Sequence, residues 1–301
     1  VILYGHRVTG NDEGYLPGLA PEHFEEQLVY LTRHYSFLSL SDLVGRLREG
    51  RPVPPMSAVL TLDDGFRDNY TNAFPVLRRL GIPATVFLTT GCVSEGTLPW
   101  SQRLGYLLQT TRVTEIQDPA TGQRLSLAES GLRREAYAVL KTGLRSLPAA
   151  RRDELMDRFA RHLEVTPPTD RMLTWDQIAE MARGGVAFGA HTATHPMLAE
   201  IPWQEARTEM ERSLSDVREH LGVDAPPFAF PAGSCSDALV DLAREVGFSS
   251  VFRRRRESRV NNAATATPFS LCRVGLPVGP AYLLEAELDG PFETIRRAYR
   301  R

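Results

Sequence analysis

Cysteine is scarce in this chain. Cys92, Cys235 and Cys272 are three in 301 residues, far apart, with no C-x-x-C. That excludes a disulfide framework and a thiolate zinc site. No apolar stretch reaches the ~18 residues that a membrane helix needs. No secretory leader is visible either, which favours the cytoplasm as an expectation, although the chain starts at Val1 rather than at a methionine. Charge of either sign is not in excess. At a net −2 there is no electrostatic case for a nucleic-acid partner or an anionic membrane surface. One basic run, Arg253-Arg254-Arg255-Arg256, reads as a solvated loop after a strand. Internal repeats and low-complexity segments are lacking, and the sequence carries no sign of oligomeric state.

What is present is a rhythm. Short apolar runs alternate with stretches of helical period. The runs are Val1 to Tyr4, Phe37 to Leu40, Ala58 to Leu62, Ala84 to Leu88, Val186 to Phe188, Phe228 to Phe230, Ser250 to Phe252 and Leu271 to Val274. Between them, Pro21 to His34 puts Phe24, Leu28 and Leu31 on one helical face. Ser41 is placed to cap a helix through Glu49. Thr174 and Gln177 have capping-box spacing, and Gly184 ends that helix. Pro202 to Leu221 and Asp237 to Val246 are further helices, each followed by glycine. Continuous apolar strands alternating with helices predict an α/β protein with a covered parallel sheet. The number of runs favours closure into a barrel. Residues 97–170 break the rhythm and read as a largely helical insertion, with helices from Arg103 to Gln109 and from Leu132 to Leu163 and a turn at 118–122. The expectation is one domain over 1–301 carrying that insertion.

In parallel barrels, chemistry sits where strands end. Gly5-His6 follows the first run and Asp63-Asp64-Gly65 the third. His191-Thr192-Ala193-Thr194-His195-Pro196 follows Val186 to Phe188 closely, and Pro231-Ala232-Gly233 follows Phe230. Two adjacent carboxylates after a buried strand repel one another unless they form a solvated turn or face something positive. The convergence of the two histidines favours a cation. Pro196 disfavours helix at His195, and position 192 is threonine, so the pair sits on a loop and is no H-E-x-x-H motif. Two neutral imidazoles and a carboxylate suit a divalent metal, Zn²⁺ first and Co²⁺, Ni²⁺ or Mn²⁺ as alternatives, with a position open for water. One aspartate can bind the metal and the other can take a proton.

These residues resemble the polysaccharide deacetylase family, metal-dependent carbohydrate esterases with a deformed (β/α) barrel of about seven strands. The family's T-F-D-D-G is similar to Thr61-Leu62-Asp63-Asp64-Gly65, and its H-[ST]-x-x-H to His191 through His195. The likeness extends to "PEHFEEQL", "GIPATVFLTTG", "LTWDQIAEMARGGVAFGAHTATHPML" and "FAFPAG". It is strongest with the branch that contains poly-β-1,6-N-acetylglucosamine deacetylases and exopolysaccharide-cluster proteins. The resemblance implies N-deacetylation of an amino-sugar glycan, with Asp63 as catalytic base and Asp64, His191 and His195 as metal ligands. It also implies His6 as general acid, because that branch draws the acid from an N-terminal Y-H motif, similar to Tyr4-Gly5-His6 here. Its oxyanion donor corresponds to the main-chain N–H of Ala232.

The family's third motif, R-x-P-Y, is altered. Phe228 is read in place of its arginine and Ala232 in place of its tyrosine. Arg273, on a later strand, is the candidate to orient the base instead. Trp100 and Trp175 are candidate sugar-stacking residues. Asp68 and Asn69 read as caps of the following helix, and Cys235 as a small loop residue. Two other readings stand beside N-deacetylation: hydrolysis of a formamide or cyclic ureide on the same barrel, and a non-catalytic glycan-binding relative.

Overall fold

The computed structural model describes residues 1–10, 15–253, 261–262 and 264–288. Eleven strands occur among them: β1 (Ile2–Gly5), β2 (Ser36–Phe37), β3 (Ser57–Leu62), β4 (Ala84–Leu88), β5 (Glu115–Gln117), β6 (Arg124–Ser126), β7 (Ala187–Ala190), β8 (Phe228–Ala229), β9 (Val251–Arg253), β10 (Leu271–Cys272) and β11 (Val274–Gly275). Eight of them form one path, β10-β9-β8-β7-β4-β3-β1-β11, with every pairing parallel. The two ends of that path are consecutive in sequence. Leu271 and Cys272 pair with Phe252 and Arg253, while Val274 and Gly275 pair with Leu3 and Tyr4. One extended run therefore joins both open edges, and the sheet becomes a parallel barrel of seven staves. Arg273 lies at the seam.

Helices surround the barrel. Pro21–His34 and Asp237–Val246 have the predicted bounds, and the Thr174–Gln177 capping box is present. The helix Leu40–Glu49 starts earlier than expected. Its cap is Ser39, whose hydroxyl accepts from Asp42 N, and not Ser41. Leu40 thus belongs to a helix and not to the strand expected there. β2 is only two residues long and adds to the side of β3, outside the barrel path. Leu40, Leu43 and Val44 pack with Ile2, Val59, Phe87, Ala229, Phe252 and Leu271.

The insertion has its own apolar cluster, including Trp100, Leu104, Leu108, Leu140, Met156 and Phe159. The helix expected over Leu132–Leu163 is two, Ser130–Leu144 and Ala149–His162, parted just before Pro148 begins the second. The 118–122 turn joins β5 and β6 into an antiparallel hairpin that the largely helical reading of the insertion leaves out. Of the basic run, Arg253 ends β9 and pairs with Asp237, and Arg254 to Arg256 fall outside the described residues. Among the described residues no helix is long and apolar enough to cross a membrane.

Candidate active site

All barrel strands run the same way, so their C-terminal ends share one rim. Ladder hydrogen bonds fix the heights there. Asp63 N donates to Gly5 O, His191 N to Leu88 O, and Thr89 N to Asp64 O. His6, the Asp63–Asp64 pair, His191 and Arg273 therefore enter the same end of the barrel from four different staves.

Asp64, His191 and His195 are all buried, and one ligand atom from each lies within 4.8 Å of the others. His191 Nε2 is 3.5 Å and His195 Nε2 3.2 Å from Asp64 Oδ1. His191 Nδ1 lies 2.7 Å from Ala229 O. A carbonyl can only accept, so Nδ1 carries the proton and Nε2 keeps its lone pair. Burial pushes His191 down to about 4, so it is neutral at ordinary pH. Burial alone would raise the Asp64 carboxyl. The neighbouring His195 leads the groups that more than offset this and hold it well below the usual carboxylate range. Asp64 Oδ1 is buried with no hydrogen-bond donor. A buried anion without a donor, with the His191 Nε2 lone pair and His195 Nε2 within 3.5 Å of it, fits a divalent cation held by two nitrogens and one oxygen.

Asp63 has a different environment. Arg273 donates from Nη1 to Oδ1 and from Nη2 to Oδ2, both at 2.7 Å. Arg273 Nη1 also donates to Thr61 Oγ1, which donates in turn to Leu3 O. The guanidinium lies against the rings of Tyr4, Phe87 and Phe252 at 4.9–5.9 Å. Burial would raise Asp63, but Arg273 and then His191 outweigh it, so the carboxyl stays ionised below its usual range. Adjacent aspartates thus have separate partners, which removes the repulsion implied by their sequence.

The third motif needs a correction. Phe228 packs outward with Met210, Leu214, Leu239 and Phe248. Counting back from Pro231, the arginine of R-x-P-Y falls at Ala229, whose small side chain packs in the same cluster as Phe87 and Phe252. Those are the rings that flank Arg273, so an arginine from another stave reaches the barrel interior that Ala229 leaves free. Ala232 has φ 51°, and among the described residues its N–H has no acceptor, while Gly233 N and Ser234 N donate to Phe230 O and Pro231 O.

His6 sits edge-on to Tyr4, ring centroids 5.7 Å apart, near enough for its charge to act on both aspartates. Asp68 and Asn69 hold this segment and cap no helix. Asp68 accepts from Arg7 Nε and Val8 N, and Asn69 donates to His6 O. Only contacts between distant segments reveal that role.

Backbone strain concentrates here. Seven described non-glycine residues have positive φ, and four of them are Asp64, Thr192, His195 and Ala232. Two glycines permit close approach. A Cβ on Gly65 (φ 82°) would meet a Leu88 methyl at 2.9 Å, and one on Gly91 would meet Ala193 O at 2.7 Å.

Of the two tryptophans expected to stack on a sugar, Trp100 offers no free ring face, and Trp175 has one face taken by His220. Trp100 is buried, with Nε1 donating to His195 O. Trp175 stacks on His220 at 3.8 Å and donates to Ser94 Oγ. Cys235 is a partly buried loop residue whose thiol burial pushes up, away from nucleophilic use.

Residues 50–251 match the sequence profile described as Polysaccharide deacetylase. The poly-β-1,6-N-acetyl-D-glucosamine N-deacetylase of Staphylococcus aureus is 35% identical over 78 residues, 26% of this chain and 27% of that protein. The alignment thus spans about a quarter of that relative's length. Among solved structures, the Streptococcus pyogenes deacetylase PplD in complex with acetate superposes with a TM-score of 0.63 at 19% identity, over 96% of this chain and 97% of that one. IcaB from Ammonifex degensii gives 0.61 at 21%, over 92% and 91%. At such identities the likeness is one of fold.

Proposed function

The chain belongs to the polysaccharide deacetylase family, and on that premise we propose that it is a metal-dependent hydrolase removing N-acetyl groups from an amino-sugar glycan. The observation that carries this reading is a buried donor set of Asp64, His191 and His195 beside a second, separately partnered carboxylate, Asp63. A divalent cation bound there, Zn²⁺ by the donor chemistry, lowers the pKa of a water and polarises a carbonyl oxygen.

The chain's own residues supply the rest. Asp63 accepts the proton of the attacking water. The Arg273 fork fixes its plane and keeps it ionised, and each carboxylate oxygen retains a lone pair for the proton. Ala232 N–H donates to the oxygen that becomes negative as the acetyl carbonyl turns tetrahedral. His6 gives a proton to the departing nitrogen as the C–N bond breaks. Acetate and a free amino sugar leave. His191, fixed through Ala229 O, holds its lone pair in place throughout.

The Arg273 fork on Asp63 counts against a non-catalytic glycan binder, whose main ground was the missing arginine. The test is acetate release from N-acetylglucosamine oligomers by protein stripped of metal and then refilled with Zn²⁺ or Co²⁺. Release restored by metal is expected. Formate in place of acetate from formylated analogues would move the reading to another amide. Tight sugar binding with no product would restore the binding-only reading.

A further inference from the structure

Beyond the hydrogen bonds from Thr90 N to Thr192 O and from Gly91 N to Ala193 O, the loop that carries His195 is held from two further sides. On one side Glu209, on the helix Trp203–Leu221, accepts from Ala193 N and Thr194 N and from the Thr194 hydroxyl. On the other side is the insertion. Trp100 Nε1 donates to His195 O at 3.0 Å, and Arg152 Nη2 donates to Thr194 Oγ1 at 3.3 Å. Arg152 is wholly buried, its guanidinium 5.2 Å from the Trp100 ring centroid, and its Nε and Nη1 have no partner. A buried guanidinium with two unused nitrogens is costly to the fold, and packing alone gives no reason to keep it. What it does make is one end of a relay: Arg152 to the Thr194 hydroxyl, and that hydroxyl to Glu209.

The loop needs such restraint. Thr192 and His195 both hold positive φ, 67° and 61°, and neither is glycine. A β-branched threonine there is a true outlier, sustained only when its surroundings fix it. If the loop relaxed, the His195 imidazole would leave Asp64.

We propose that Arg152 and Trp100 are positioning residues for His195, so that the helical insertion sets the metal affinity of a site to which it contributes no ligand. The insertion is a brace on the ligand loop. This rests on the reading of Asp64, His191 and His195 as metal ligands.

The test is Zn²⁺ affinity, measured by competition with a chromophoric chelator, together with the d–d spectrum of the Co²⁺ form. Arg152→Met keeps an unbranched apolar stem and removes the buried guanidinium. Trp100→Phe keeps an aromatic ring but removes the N–H together with part of the buried indole. Each variant is expected to bind Zn²⁺ about tenfold more weakly, the usual effect of removing a support behind a ligand, and to shift the Co²⁺ bands. Wild-type affinity and spectrum in both variants would overturn the proposal, even with a lowered melting temperature. Should Arg152→Met fail to fold, Trp100→Phe decides alone. His195→Ala separates the two levels. If it loses Zn²⁺ while the brace variants do not, only this inference falls. If it binds like wild type, the metal-site reading falls first.

Discussion

Arg273 grips Asp63 with both terminal guanidinium nitrogens across 210 positions of chain, and both side chains are buried. Breaking such a pair leaves an unpaired buried carboxylate, so Arg273→Met is expected to cost about 3–5 kcal/mol of stability by urea denaturation. Losing the cation raises the Asp63 pKa, so less of the base is ionised at a given pH. The acid limb of kcat/KM should therefore move to higher pH. Arg273→Lys keeps a charge but not the fork, and should fall between the two.

Asp63→Asn retains shape and removes the proton acceptor. Turnover should drop by at least ~100-fold, with Zn²⁺ affinity within a factor of a few of wild type. Wild-type turnover in this variant would remove Asp63 from the mechanism.

For His6, the leaving group is the discriminator. A general acid matters for an amine and little for a leaving group that departs as a stable anion. His6→Gln should lose about 100-fold on an N-acetyl substrate and much less on 4-nitrophenyl acetate. Equal losses on both would argue for a structural role at the strand end.

Stability of the metal-free protein should depend on pH in a defined window. His191 is held neutral down to about 4 when folded and titrates near 6.5 when unfolded. Between those values the unfolded chain binds the extra proton, so stability falls as pH falls. The loss should approach about 3 kcal/mol by pH 4. Asp63 and Asp64, held below their ordinary range, stabilise the fold above the unfolded carboxylate pKa and lose that contribution only at lower pH still. Urea midpoints at pH 7, 5.5 and 4.5 without metal would show the slope, and a flat response from 6.5 to 4.5 would contradict a buried neutral His191.

The rim of the site was legible because strand ends and chemistry coincide in sequence: apolar runs stop just before His6, Asp63 and Ala232, and close to His191. The Thr174–Gln177 box and the helix ends followed by glycine were equally plain, whereas the cap of Leu40–Glu49 lies two residues before the serine that the sequence offered and Asp68 and Asn69 cap nothing. Contacts between short, distant pieces were hidden. β10 and β11 have two residues each, too few to show a period, so the seam and the inward aim of Arg273 are visible only in three dimensions. The hairpin β5–β6 buries just Ile116 and Leu125 from its strands, which no alternation test detects. Trp100 shows the opposite failure. Its residue type suggested a sugar platform, but the exposure that such a platform requires is not written in sequence, and the half-exposed tryptophan is Trp203.

The seam also sets an order of events during synthesis. Asp63 leaves the ribosome 210 residues ahead of Arg273, and until the last stave is laid between β9 and β1 its carboxylate has no cation to lock it. A nascent chain could therefore gather Asp64, His191 and His195 while its base stays unarmed. Under the proposed function, hydrolytic competence would arrive with that stave, and activity would report on barrel closure itself.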